Sequence, residues 1–279
     1  MPTRTLRLVL ASGVFLLAAG VAGAPAAEQG QTLFYGPDDS ALPFSTEQQV
    51  LEFLETADIT EKEKLGSGTN KKKRKVLLEK NGIEAQAILR TGYEIKDVGA
   101  VGFVDSYLSE VAAYELSRLL GLDNVPPVVR RKGGSLQIWI ENATTDASRR
   151  KAGADPEDPQ RFEQQVQVMW VFDNLIANTD RNPGNLLIDP HGKVWFIDHT
   201  RSFAGQRELK YPDRITGCDR DLWHRLQTVS DQEILDAVEP YVRRYRDALL
   251  ERRRLLVQEI ERQIAEQGEE AFLFSLATP

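Results

Sequence analysis

Three oxygen-bearing side chains stand in an order that suits phosphate chemistry. Asp180 and Asn185 have four residues between them, in Asn178-Thr179-Asp180-Arg181-Asn182-Pro183-Gly184-Asn185, and Asp198 follows in Phe196-Ile197-Asp198. Phosphoryl transfer asks little covalent chemistry of a protein. It needs a carboxylate beside the attacking hydroxyl and hard oxygens for a divalent cation that bridges the phosphates. Mg²⁺ takes one or two protein oxygens and completes its shell with water and phosphate. An Asp, an Asn and a second Asp supply that set. The plainer reading is a polar turn, since Asp and Asn favour turns for purely local reasons. What sets this run apart is its placement, after an apolar helix and before a hairpin that ends in Asp198.

The elements around it follow from hydrophobic period and turn signals. Residues 162–177 predict a helix with Val166, Met169, Trp170, Phe172 and Ile176 apolar, and residues 178–184 a polar loop. Residues 186–188 and 194–197 predict strands around Pro190-His191-Gly192. Upstream, residues 45–57 read as a helix capped by Ser45, with Val50, Leu51 and Leu54 as its stripe. Residues 65–90 read as a hairpin and a third strand: Gly66-Ser67-Gly68, a strand at 75–78, the turn Asn81-Gly82, and a strand at 85–90. Residues 105–120 predict a strong helix, capped by Asp105 or Ser106 and ended by Gly121. Strands follow at 125–131 and 135–141, then a polar connection or insertion at 145–159. Residues 240–267 predict one long charged helix with Leu249, Leu256, Ile260 and Ile264 in step. Strands first and helices later is an α+β order rather than alternating βαβ units.

Composition narrows the function classes. The 279 residues are 41% hydrophobic and 28% charged, enough for a sizeable core, and the formal charge of −7 argues against a nucleic-acid binder. Arg4 and Arg7 precede the apolar residues 8–24, and small residues follow through Ala24-Pro25-Ala26. This is the order of a secretory signal cleaved near Ala26, with a retained membrane anchor as the alternative. The expected location is therefore exported, periplasmic or secreted. Cys218 is the single cysteine, so no internal disulfide is available, and it reads as a packed residue rather than a nucleophile. The run Lys71-Lys72-Lys73-Arg74-Lys75 reads as an exposed basic hairpin that could attract an acidic or phosphorylated partner, or anionic headgroups. The arginines at 243, 244, 246 and 252–254 read as a solvated helix face, and Asn142-Ala143-Thr144 is a glycosylation sequon.

The stretch from Phe172 to Asn182, Phe-Asp-Asn-Leu-Ile-Ala-Asn-Thr-Asp-Arg-Asn, with Ile197-Asp198-His199-Thr200, resembles the atypical kinases. These comprise relatives of the phosphatidylinositol 3- and 4-kinases, the HipA-type kinases and the secretory-pathway kinases, and the likeness is nearest to bacterial exported members. It spans roughly residues 65–203. The resemblance implies an α+β, two-lobed kinase-like fold, with an N-lobe of antiparallel sheet plus helix and a mostly helical C-lobe. It divides the chain into signal 1–26, arm and short helix 27–60, N-lobe 61–144 and C-lobe 145–279. It implies Asp180 as catalytic base, Asn185 and Asp198 as metal ligands, and Arg181 contacting phosphate or bracing Asp180. Asp173 would brace the loop or lie on the surface, and His199 would be structural. Gly66, Ser67 and Gly68 would cover phosphates, and Glu110 would pair with a strand-three lysine, with Glu115 as the competitor. That lysine is missing. The matching stretch is Ala87-Ile88-Leu89-Arg90, and an arginine is not equivalent to a lysine at a phosphate. Lys96 could reach in instead. The implied function is transfer of phosphate from ATP, with Mg or Mn, to a hydroxyl on a protein, lipid or small molecule. The alternatives are a pseudokinase-like nucleotide- or protein-binding module, marked by Arg90, and a metal-dependent hydrolase using Asp180 and Asp198.

Overall fold

In the computed structural model the described residues are 34–65, 72–96, 101–131 and 133–276. The signal segment, Gly66-Ser67-Gly68 and Lys71 lie outside them. The chain opens with α1 (Glu47–Thr56), whose capping box uses Thr46 and Gln49. Ser45 is not the cap; its N–H and hydroxyl both turn onto the Gln49 side chain. A strand the sequence reading lacked, β1 (Asp58–Lys64), precedes β2 (Lys73–Lys80) and β3 (Ile83–Arg90). β4 (Tyr93–Lys96) and β5 (Phe103–Ser106) form a separate hairpin. Then come α2 (Tyr107–Leu119), capped by Ser106, and the strands β6 (Val128–Arg131) and β7 (Gly134–Ile138).

β1, β2, β3, β7 and β6 join in that order into one antiparallel sheet. Strand side chains alternate between faces, and here the alternation separates two chemistries. Val76, Leu78, Ala85, Ala87, Leu136 and Ile138 share one face and enter a core with Val50, Phe53 and Leu54 of α1. Lys73, Lys75, Arg90 and Gln137 share the other, because Lys73 pairs with Arg90 and Ile88 with Gln137. That polar face looks toward Glu110 and Asp198.

The remaining chain is mostly helical. β8 (Thr144–Thr145) and α3 (Asp146–Lys151) occupy part of the expected connection, and β8 extends the β9–β10 hairpin into a three-stranded sheet. α4 (Pro159–Ile176) starts at an Asp158 cap, and β9 (Leu186–Ile188) and β10 (Val194–Phe196) follow. After β11 (Cys218–Asp219), α5 (Arg220–Thr228) and α6 (Asp231–Val238) are two short helices the sequence reading did not resolve. The long helix, α7 (Arg246–Gln267), starts six residues later than expected: Tyr245 at its cap is left-handed, with φ of 62°. α8 (Glu269–Phe272) and β12 (Leu273–Phe274) close the described chain. α2, α4 and α7 share the second core, around Leu116, Phe172, Leu175, Phe196, Leu256 and Ile260. No helix among the described residues is long and apolar enough to cross a membrane.

Candidate active site

The loop that carries Asp180 begins where α4 stops. Ala177 turns left-handed, with φ of 50°, and the Asn178 N–H donates back to the Asp173 carbonyl at 2.9 Å. This is the usual way to satisfy the last carbonyls of a helix. Asn178 then folds over the loop. Its Nδ2 donates to Asp173 Oδ1 at 3.0 Å, and its Oδ1 accepts the Asp180 N–H at 3.1 Å. Asn182 and Asn185 both donate their side-chain amides to the Asp180 carbonyl, at 3.1 and 2.8 Å. The loop's many Asn residues are thus its scaffold.

Arg181 is the centre of this scaffold, and its side chain is buried. A guanidinium has five N–H donors, and each has an acceptor here. Nε donates to Asp173 Oδ2 at 2.6 Å, and Nη1 to the carbonyls of Asn185 and Ile197. Nη2 donates to Asp173 Oδ1 at 3.1 Å and to His199 Nε2 at 3.1 Å. Of the two roles expected for Arg181, only the brace is left, because no donor remains for a phosphate. Asp173 is fully buried and not the surface acid that was its alternative.

The same guanidinium fixes the metal-ligand candidates. The carbonyls it holds belong to Asn185 itself and to Ile197, the neighbour of Asp198. The Ile197 N–H donates to the Asn185 carbonyl at 3.2 Å, so Asn185 and Asp198 sit side by side. Asn185 spends its Nδ2 on the Asp180 carbonyl, so its amide oxygen is the side-chain atom that could meet a metal. Asp198 is left-handed, with φ of 62°, a costly conformation that Asp tolerates better than most residues. An amide oxygen and a carboxylate are hard donors and fit a Mg²⁺ or Mn²⁺ that takes most of its shell from phosphate and water. No group of three or more His, Cys, Asp or Glu side chains among the described residues forms a self-sufficient metal cage.

Glu110 of α2 is fully buried and faces a basic side chain on either side. Arg90 Nε lies 3.3 Å from its Oε1, and His199 Nδ1 lies 3.5 Å from its Oε2. Burial would raise the Glu110 carboxyl, but Arg90, and then His199, outweigh it and hold it below the ordinary range. Arg90 also donates to Gln137 Oε1 at 3.1 Å. Lys96 does not substitute for it, being paired with Glu94 at 2.5 Å on the exposed β4. Glu115 lies apart, beside the Tyr241 hydroxyl.

The residue that sequence reasoning missed is Lys73. Its Nζ forms an ion pair with Asp198 Oδ2. The basic run is not a free patch: Lys72 faces Glu94 at 3.8 Å and Lys75 lies over the Trp139 ring at 4.3 Å. A usable signal was present, since alternation along β2 puts Lys73 on the face opposite Val76 and Leu78. Burial raises the Asp198 carboxyl, yet Arg90 and Lys73 together bring it below its ordinary value. Asp180 is half-exposed, with Arg201 Nη1 3.5 Å from its Oδ2.

No curated protein sequence matches this chain. Among solved structures, a proinflammatory kinase of Helicobacter pylori, CtkA, aligns over 78% of this chain and 96% of its own, at 13% identity and a TM-score of 0.46. The model of the family described as phosphatidylinositol 3- and 4-kinase matches residues 71–218, just over half of the chain, and takes in every element that carries Arg90, Glu110, Asp180, Asn185 and Asp198. The chain belongs to the phosphatidylinositol 3- and 4-kinase family.

Proposed function

We propose that the chain is an exported phosphotransferase that moves the terminal phosphate of ATP to a hydroxyl on a protein, lipid or small molecule. The observation that carries this is the Arg181 brace, which holds the backbone of Asn185 and of Ile197, next to Asp198, without using the side-chain oxygens of Asp180, Asn185 or Asp198. A bound Mg²⁺ or Mn²⁺ would neutralise charge on the phosphates. Asn185 and Asp198 would hold it. Asp180, half-exposed at the loop's outer edge, would accept the acceptor's proton. Leu77 and Ile88, half-buried and diagonal neighbours on the polar face of the sheet, would seat the base. Gly66-Ser67-Gly68 would cover the phosphates from the β1–β2 connection. Residues 61–144 and 145–279 would then be the two lobes. Export would follow signal cleavage near Ala26, or leave the chain anchored by its N-terminal segment.

The test is incubation of the purified chain lacking residues 1–26 with labelled ATP and Mg²⁺ or Mn²⁺, over a panel of protein, lipid and small-molecule hydroxyls. Transfer that disappears in Asp180→Ala, with nucleotide binding kept, is expected. Metal-dependent nucleotide binding without transfer to any acceptor, autophosphorylation included, favours the pseudokinase-like module. The absence of nucleotide binding with either metal sinks the proposal.

A further inference from the structure

The geometry points to Lys73, on β2, as the side chain that grips the nucleotide phosphates, with Arg90 on β3 confined to bracing Glu110. This rests on the phosphotransferase reading above. In the resembling families one strand-three lysine would serve both purposes. Here two cross-strand neighbours divide them, since Lys73 and Arg90 are direct partners in the β2–β3 register and project from the same face.

Arg90 is unsuited to the phosphates. It is only 3% exposed, and its guanidinium is held by Glu110 and Gln137. Pulling it out would leave the fully buried Glu110 with His199 alone. Lys73 is suited. Its side chain is 28% exposed, its ammonium is a compact charge on a flexible stem, and it already reaches Asp198 Oδ2. That contact places a cation where a metal bridging Asp198 to phosphate would also sit. A metal on Asp198 would compete with the ammonium for that carboxylate and weaken its hold. A metal–nucleotide complex would then offer the ammonium a phosphate oxygen in exchange. The ion pair is therefore a placeholder: Lys73 neutralises Asp198 in the empty cleft and moves to the phosphates in the filled one.

The exchange gives Lys73 an unusual signature. Removing its charge frees Asp198, so a bare cation should bind better, while nucleotide should bind worse. A side chain that merely supports the fold would weaken both. The measurements are Mn²⁺ binding alone, by electron paramagnetic resonance, then binding of a non-hydrolysable ATP analogue with Mn²⁺, by calorimetry. They are made on wild type, Lys73→Gln and Arg90→Gln, with melting temperatures for each. Lys73→Gln should keep the wild-type melting temperature, bind Mn²⁺ alone several-fold more tightly, and bind the analogue about ten- to a hundredfold more weakly, the worth of one charge-assisted hydrogen bond. Arg90→Gln should melt lower. Lys73→Gln with wild-type affinity for the analogue overturns the inference and leaves the phosphotransferase reading standing. Parallel loss of bare Mn²⁺ and of analogue also overturns it. A wild-type chain that binds no analogue overturns both.

Discussion

His199 has its protonation pattern imposed from outside. Arg181 Nη2 can only donate, so Nε2 of the ring must accept, and the ring proton must sit on Nδ1, which faces Glu110. The imidazole thus closes a buried line of polar groups: Arg90, Glu110, His199, Arg181 and Asp173, with two arginines against two carboxylates. Phe172 meets the ring edge-on, with centroids 6.0 Å apart. His199→Phe keeps the bulk but leaves one Arg181 N–H without an acceptor and removes a Glu110 partner. It is expected to cost about 1–3 kcal/mol in urea unfolding; a change below about 0.5 kcal/mol would mean the line is not energetically coupled. Arg181→Lys should cost more, about 3 kcal/mol or above, because an ammonium cannot make the two-pronged contact and Asp173 is left partly unpaired where no water reaches. If circular dichroism and unfolding show Arg181→Lys as stable as wild type, Arg181 is not the brace described.

Among the elements, α7 reaches farther into the site than its charged sequence suggests. Arg252 is fully buried, and its donors go to the carbonyls of Leu175, Ala204 and Gln206. It thereby ties the last turn of α4, from which the Asp180 loop hangs, to the segment that leaves Asp198. Burial without a carboxylate partner among its described contacts pushes the guanidinium down to about 10. Arg252→Met relieves that buried charge but strips three carbonyls of their donors. The net expectation is a loss of about 2 kcal/mol, with hydrogen exchange faster at Asn178 and Thr179 than elsewhere; uniform exchange would place the effect in the core instead. The sequence reading took the arginines of this region as a solvated face. Arg252 was legible as the exception, since it falls in step with Leu249, Leu256 and Ile260 along one helical stripe. α5 and α6 were harder to see. Each is under ten residues, too short for a period to stand out, and each is set by its cap, Asp219 and Ser230. The capping box at Ser230 and Glu233 was the available clue.

At the scale of the molecule, two apolar cores are joined across the site by the buried polar line rather than by apolar contact alone. Local signals carried the fold well, because helix 159–176 and the β9–β10 hairpin are fixed by neighbours in sequence. Of the line, the meeting of Arg90 with Glu110 was expected only through the family resemblance, at the place of the strand-three lysine; the part of His199 was not legible, because it joins them only through the packing of β3, α2 and the turn after β10. This gives stability a pH dependence. Glu110 is held below its ordinary value of 4.5 in the fold, so its contribution is complete above about pH 4.5 and is lost as pH falls through the folded-state value. Glu110→Gln should flatten the acid limb of the stability curve; an unchanged limb would assign it to other carboxylates. The same joint predicts how ligand and stability are linked. A ligand that binds only the folded chain, at a hundred times its dissociation constant, stabilises it by about 2.7 kcal/mol, which for a chain of this size raises the melting temperature by about 5–10 °C. Mg²⁺ alone should do little, because Lys73 already occupies Asp198. ATP with Mg²⁺ should give the full rise, and Asp198→Asn should abolish the metal-dependent part while leaving the unliganded melting temperature near wild type. A rise that is the same with ATP and chelator as with ATP and Mg²⁺ would mean that the nucleotide binds without the Asn185–Asp198 pair, and that the metal site lies elsewhere.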